Sequence, residues 1–137
     1  VLVASCANTA TYKPQTAIVG YTDRHIFQNK YEVSFRGGKN TPMQHVWEWA
    51  YKRAAEVTLE NNYRYFVVTD EEERYYQPSK DHEDSDSLTK SLIDIGGPFP
   101  EVTLKIKCYK DRPKNADDAI NAEELIRGNV EVPPSTN

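Results

Sequence analysis

The segment between residues 31 and 69 constrains the fold most, because it predicts a strand, a long helix and a second strand in succession. Residues 31–36 alternate apolar and polar side chains, a period of two that predicts a half-buried strand, and Gly37 ends it. Residues 65–69 form a short aromatic and β-branched run, which is typical of a buried strand. A helix between two strands indicates a right-handed crossover, so we expect the two strands to run parallel.

The helix between these strands carries its own start and stop signals. Thr41 predicts an N-cap, Pro42 suits the first helical position, and Gln44 completes a capping box. We expect the helix to end near Glu60, because Asn62 can adopt the left-handed conformation that follows many helices. Apolar side chains recur at helical spacing along it, so one face is expected to pack on a sheet.

The second half of the chain mixes one clear strand with irregular segments. Residues 70–87 hold eight acidic and two basic residues and are interpreted as an acidic loop. Residues 88–95 fit either a short strand or a helical turn. Residues 102–108 alternate strictly and predict the clearest strand of the chain. A last helix is expected from its N-cap Asn115 to Gly128, which ends it.

These elements predict an α+β fold. We expect a single small domain in the order β-α-β-β-α, with one mixed sheet and two helices packed on one face. A chain of 137 residues is the length of one domain and is long enough to fold without disulfides or a structural metal. Its formal net charge of −4 argues against a dedicated nucleic-acid binder, and its two cysteines are too few for a disulfide scaffold.

The first residues have the order expected at the end of a bacterial lipoprotein signal. Residues 1–5 are apolar and then small, and Cys6 follows them. A signal peptidase requires small side chains before its cleavage site, and the thiol then carries the lipid. We therefore expect residues 1–5 to end a signal peptide and Cys6 to be the lipid attachment site; the alternative is an apolar strand with an unmodified cysteine. Residues 6–16 predict a flexible tether, 17–130 the folded domain and 131–137 a Pro-rich tail.

Several blocks of the sequence resemble one family of proteins. The blocks are Gly20–Asp23, Asn29–Gly37, Arg53–Glu60 and Tyr63–Val68. Together they resemble a family of small, uncharacterised lipoproteins from Gram-negative (proteobacterial) cell envelopes, and the resemblance extends over about Cys6 to Thr69. Asn62 stands where that family usually has Gly, and the acidic segment is longer here.

The resemblance implies lipid attachment at Cys6 and an envelope location, and it supplies no activity. Ala7 rather than Asp follows the cysteine, which by the sorting rules of such lipoproteins favours the outer membrane, facing the periplasm. The partners it implies are the membrane, through the N-terminal lipid, and an unidentified envelope protein or glycan. No cofactor, metal ion or nucleic acid is expected.

The residues that often carry chemistry are not grouped in the sequence. Cys108 is expected to be a small buried hydrophobe on the inner face of its strand, and it can pair with Cys6 only if Cys6 carries no lipid. His25, His45 and His82 have no ligand spacing. We therefore predict no catalytic or metal site.

Two features stay open between a binding role and a packing role. The turn Gly37–Thr41 precedes a helix N-terminus, where backbone N–H groups can hold an anion, although a tight turn is the simpler interpretation. Trp47 and Trp49 point about 200° apart on a helix, so both cannot face the core. We expect Trp49 to be the more exposed, either as a binding residue or as a ring packed on the sheet edge.

The sequence therefore predicts a non-enzymatic, lipid-anchored protein of the cell envelope with a binding or structural role. Two alternatives stay open. One is a small envelope hydrolase that uses carboxylates of residues 70–87, which would need two carboxylates held in one cleft. The other is a soluble cytoplasmic interaction domain.

Overall fold

Five strands and two helices form the part of the chain that this computed structural model describes, namely residues 12–15, 18–78 and 98–135. The strands are β1 Gly20–Phe27, β2 Lys30–Arg36, β3 Tyr65–Tyr76, β4 Phe99–Tyr109 and β5 Ile120–Asn121. The helices are α1 Met43–Glu60 and α2 Ala122–Ile126. This part of the chain is a small α+β domain with one sheet and two helices.

The sheet is antiparallel throughout, with the strand order β1-β2-β4-β3-β5. β2 and β3 run in the same direction, as predicted for the strands on either side of α1, but β4 lies between them and pairs with both. The predicted mixed sheet is wrong because the strand that separates them comes later in the chain and runs the opposite way. The element order is β-β-α-β-β-β-α, with β1 and β5 in addition to the predicted strands.

β3 is longer than predicted. It extends to Tyr76, which pairs with Phe99, so the first residues of the segment interpreted as an acidic loop continue the strand. A bulge between Val68 and Asp70 changes the register of this strand. Residues 79–87 of that segment, together with residues 88–95, lie outside the described residues.

The core lies between α1 and the apolar side of β2 and β4. Val33 and Phe35 of β2 are fully buried, as are Leu104 of β4 and Trp47 of α1. The side chains that alternate with them along the strands, such as Ser34, point to the opposite side of the sheet. We refer to that opposite side as the polar face.

α1 begins differently from its prediction. The N-cap position is Pro42, and no side chain caps the helix. The backbone amide of Thr41 donates to the Gly38 carbonyl at 2.9 Å. The side-chain amide of Gln44 donates to the Glu48 carboxylate at 3.3 Å, so the predicted capping box is wrong. The Thr41 hydroxyl is buried without a hydrogen-bond partner among the described residues. The predicted end is confirmed, with the helix closing at residue 60.

α2 is shorter than predicted. It begins at Ala122 rather than near Asn115, because the two residues before it pair with β3 as strand β5. Asn121 is the actual N-cap, and its side chain accepts a hydrogen bond from the Glu124 amide at 3.1 Å. The helix ends as predicted, with Gly128 at a positive φ of 79°.

Candidate functional site

The middle of the polar face carries charges that neutralise one another across the strands. Arg24, Glu32, Lys105 and Asp70 lie in one row over four neighbouring strands. The Arg24 guanidinium lies 3.0 Å from the Glu32 carboxylate, and the Lys105 ammonium lies 4.0 Å from the Asp70 carboxylate. Cross-strand pairs of opposite charge stabilise a sheet modestly. The two cations and two carboxylates of this row balance each other, so the row has no net charge to attract a ligand.

At one end of the polar face two arginines share one carboxylate. Glu101 is buried, and its carboxylate oxygens lie 2.6 Å from the Arg36 guanidinium and 2.5 Å from that of Arg74. The Arg36 guanidinium also lies 3.6 Å from the centre of the Tyr76 ring. Charge-assisted hydrogen bonds of this kind orient both arginines toward the carboxylate.

The other end of the polar face is different. Phe27, Lys30, Lys107 and Val67 lie in one row, and this row contains no acidic residue. Lys30 is exposed and Lys107 partly exposed. Because the two lysines face each other on paired strands, their charges add in this region instead of cancelling.

Two paired tyrosines extend this basic row. Tyr65 lies opposite Tyr109. The guanidinium groups of Arg64 and Arg112 lie 6.0 and 5.4 Å from the centre of the Tyr65 ring, and the Lys107 ammonium lies 5.6 Å from that of Tyr109. We name these residues the cationic patch: Phe27, Lys30, Arg64, Tyr65, Lys107, Tyr109 and Arg112. Its four cations form no ion pair within the described ranges of the chain.

The turn between β1 and β2 places apolar side chains beside the cationic patch. Ile26 is 40% exposed and Phe27 60% exposed. Gln28 holds the turn with a positive φ of 51°. Asn29 fixes it to β4, because its carbonyl accepts from the Cys108 amide at 2.8 Å and its side chain donates to the Cys108 carbonyl at 2.6 Å. The exposed apolar pair is therefore held by a turn that two hydrogen bonds join to Cys108 of β4.

A second charged cluster lies on the opposite side of the sheet, between β1 and α1. Arg53 of α1 is almost buried and lies 2.7 Å from Asp23 and 3.1 Å from Glu60. Its guanidinium also lies 4.3 Å from the centre of the Tyr21 ring. Burial alone would lower the pKa of Arg53, but its bonds to Asp23 and Glu60 outweigh this and raise the pKa. Three carboxylates surround this one guanidinium, so the cluster has an excess of negative charge, and its ion pairs fix β1 to α1.

The chain segment before β1 joins this cluster. Tyr12 packs 5.0 Å from Tyr21 and parallel to Phe35, and its hydroxyl bonds to Glu56. Burial, reinforced by that carboxylate, raises the pKa of Tyr12. The Tyr21 amide donates to the Lys13 carbonyl at 2.8 Å. Residues 12–15, which fall within the predicted tether, are therefore bonded to the folded domain.

A pocket of about 410 Å³ lies beside β3. Tyr51, Asp70, Glu71 and Asp118 are among its lining residues. Burial raises the pKa of Tyr51 to about 12, and the charges of Glu71 and Asp118 add to this effect. The pocket therefore combines a tyrosine that stays protonated with carboxylates from the segment that the hydrolase alternative invoked.

The structure places the other candidate residues apart from these sites. Cys6 lies outside the described residues. Cys108 is fully buried, as predicted, and burial raises the pKa of its thiol. Trp49 is partly buried with its ring 4.9 Å from Phe35, which favours the packing interpretation. The Trp47 indole donates to the carbonyl of residue 133 at 2.6 Å and thereby holds the Pro-rich tail on α1.

Neither the turn before α1 nor the histidines form a binding site. The Gly37 amide is used in a bond to the Pro100 carbonyl at 2.9 Å, which supports the tight-turn interpretation. His25 lies in β1 and contacts Tyr31, whereas His45 lies on α1 near Trp49. His82 is outside the described residues. Within the part of the chain that is described, no three His, Cys, Asp or Glu side chains are grouped as metal ligands.

The described residues form a small α+β domain whose antiparallel sheet presents a patch of cations and aromatic rings on its polar face. Comparison of the chain with protein-family models, with curated proteins and with solved structures found no match. Among the helices described, none is long and apolar enough to cross a membrane.

Sequence reasoning missed the cationic patch because its cations come from distant positions. Lys30 and Arg64 lie far from the other two in the sequence, whereas Lys107 and Arg112 belong to a basic stretch with five Lys and Arg residues at positions 105–114; only the strand pairing brings Lys30 and Arg64 beside that stretch. A weak signal existed in the distribution of charge. Eight of the 21 acidic residues lie in residues 70–87, and the rest of the chain is slightly basic.

Proposed function

We propose that the chain is a lipid-anchored protein of the bacterial cell envelope, attached through Cys6, and that its domain is a non-enzymatic binding module. The order of apolar and small residues before Cys6 supports the anchor. Ala7 after the cysteine supports the outer membrane, facing the periplasm. The sequence resemblance to small envelope lipoproteins supports the same location.

The contacts of Tyr12 with the domain support a short linker between the lipid and the domain. Five residues separate Cys6 from Tyr12, which packs on the domain. Even when fully extended, this linker spans only about 20 Å. Each buried CH₂ of an acyl chain contributes about 0.8 kcal/mol, so two or three chains hold a protein at the bilayer. A lipid on Cys6 would then keep the domain within a domain's width of the membrane.

The cationic patch is the observation that carries the binding role. Several charges elsewhere on the polar face are paired, as in Arg24–Glu32 and Arg36–Glu101. The exposed cations of the patch lie beside aromatic rings and an exposed Phe27, a combination that is typical of interaction surfaces. Packing of both helices on the same face of the sheet is part of this proposal, because it leaves the polar face open; Leu125 of α2 and Trp47 of α1 share one core cluster.

The intact mass of the full-length protein, expressed in a Gram-negative host, tests the anchor. We expect a mass that begins at Cys6 and is increased by acyl chains, and we expect the Cys6→Ser variant to lack this increase. Membrane fractionation of the same cells should place the wild-type protein with the outer membrane. An unmodified cysteine would remove the anchor and favour the alternative of a soluble cytoplasmic interaction domain.

The pocket beside β3 keeps a second candidate function, a small envelope hydrolase. Its support is that Tyr51, Glu71 and Asp118 line one cavity. Screening of the purified chain against ester, glycoside and phosphate model substrates tests it, with Glu71→Gln as the matched variant. Turnover that Glu71→Gln abolishes would replace the binding proposal; turnover that it leaves unchanged would point to a contaminating enzyme.

A further inference from the structure

We infer that the cationic patch and the β1–β2 turn form a docking surface for an anionic lipid bilayer. This inference rests on the proposed function and names the partner of its binding surface. Two features of the described residues support it, the sign of the patch and the apolar side chains at its rim; a third is the maximum length of the chain between Cys6 and Tyr12.

The charge of the patch selects an anionic partner. Lys30, Arg64, Lys107 and Arg112 have no ion-pair partner in the described part of the chain, although the protein as a whole carries a net charge of −4. Basic side chains near an anionic lipid surface each contribute about a fivefold gain in binding. A local cluster of unpaired cations on an acidic protein therefore complements such a surface.

The apolar rim distinguishes a bilayer from a soluble anion. Phe27 is 60% exposed and Ile26 is 40% exposed, and both lie on the turn that borders the patch. An aromatic and a branched aliphatic side chain next to lysines match the apolar–polar boundary of a membrane interface. A sugar or a phosphate provides much less apolar surface for an aliphatic side chain such as Ile26 to contact.

The turn presents these side chains in a fixed arrangement. The amide and carbonyl of Cys108 both bond to Asn29, and the His25 ring bonds to the Gln28 carbonyl at 2.5 Å. Less conformational entropy is lost when a preformed turn meets a surface than when a flexible loop does. A small apolar pair can therefore add measurably to the electrostatic attraction.

The distances allow the domain to dock on the bilayer that holds its anchor. From Tyr21, which contacts Tyr12, to Phe27 is six residues of β1, or about 20 Å at the rise of a strand. The linker from Cys6 to Tyr12 has a similar extended length of about 20 Å. An acylated domain can thus lie along the membrane with the turn against the lipid headgroups.

Vesicle co-sedimentation of the full chain carrying Cys6→Ser tests the inference without the lipid. Two vesicle compositions are compared, phosphatidylcholine alone and an equimolar mixture of phosphatidylcholine and phosphatidylglycerol. We expect partitioning onto the mixed vesicles only, with a loss of binding as salt is added. Lys30→Gln should weaken partitioning about fivefold, and the double variant with Lys107→Gln about 25-fold.

Matched controls separate the docking surface from general charge and hydrophobicity. Lys39→Gln makes the same change of charge in the exposed turn at the opposite end of β2 and should leave partitioning unchanged. Phe27→Ser should weaken it, whereas Tyr75→Ser, at a residue that is 63% exposed near the far end of β3, should not.

Three results would overturn the inference. They are equal partitioning onto neutral and mixed vesicles, an equal effect of Lys39→Gln and Lys30→Gln, and binding to a soluble polyanion such as dextran sulfate with none to the vesicles. Because the Cys6→Ser chain carries no lipid, the co-sedimentation result does not depend on the outcome of the intact-mass measurement. An acylated wild-type mass together with no vesicle binding by the Cys6→Ser chain overturns the docking surface alone; an unmodified Cys6 in the wild type together with specific vesicle binding by the Cys6→Ser chain overturns the anchor alone.

Discussion

Replacement of Thr41 by valine distinguishes two ways in which α1 can begin. Thr41 is 7% exposed, its amide is bonded to the Gly38 carbonyl, and its hydroxyl has no partner among the described residues. A buried hydroxyl without a hydrogen bond costs about 1–3 kcal/mol. Valine has the same shape and the same β-branch, so it removes this cost and leaves no cavity. We expect Thr41→Val to raise the free energy of unfolding by about 1 kcal/mol.

Urea unfolding measures this change. With a dependence of about 2 kcal/mol per molar urea, the midpoint should rise by about 0.5 M. Thr41→Ser keeps the unpaired hydroxyl and loses a buried methyl group, so its midpoint should fall by a similar amount. Gln44→Ala should have almost no effect, because the Gln44 side chain bonds only to the exposed Glu48. If Thr41 capped the helix, Thr41→Val would instead lose about 1 kcal/mol and Gln44→Ala would also destabilise; that pair of results would refute the reasoning.

Three further predictions concern stability. Glu101→Gln should lower the free energy of unfolding by about 3 kcal/mol, because Arg36 would stay buried without its carboxylate; a loss close to zero in urea unfolding would contradict this. Asn62→Gly should stabilise by about 0.5 kcal/mol and Asn62→Ala should destabilise, since the backbone there has a φ of 66°, and equal midpoints for the two variants would count against the strain. Burial raises the pKa of Cys108, so above about pH 8.5 the unfolded chain loses this proton before the folded one does, and stability falls by up to about 1.4 kcal/mol per pH unit. In a Cys6→Ser background, urea unfolding between about pH 8.5 and pH 10 should show that slope, and Cys108→Ala should remove it.

Elements with apolar periodicity were predictable from the sequence, and elements without it were not. The alternation of Val33 and Phe35 identified β2, and helical spacing identified α1 with its end at Glu60. β1 was missed because its side chains from Thr22 onward are exposed and carry no apolar alternation. Edge strands need not bury both faces, so composition does not reveal them.

The acidic part of β3 shows a second limit of sequence reasoning. Residues 70–76 resemble a loop in composition, yet their backbone pairs with β4 along its whole length. Asp70 and Arg74 gain partners in Lys105 and Glu101, which a linear sequence does not reveal. The cationic patch was hidden for the same reason, because it exists only once β2, β3 and β4 are side by side.

The central position of β4 also affects the order in which the chain folds. β4 pairs with β2 on one side and with β3 on the other, although it follows both in the chain. Before residues 99–109 are synthesised, β2 and β3 have no shared neighbour, and α1 lacks Leu104 and the other β4 side chains of its core. Such long-range pairings require large loops to close first, which makes folding slow. For an exported protein of the kind proposed, this delay is useful, because a nascent chain whose core cannot close before β4 emerges stays unfolded and able to pass through a translocation channel.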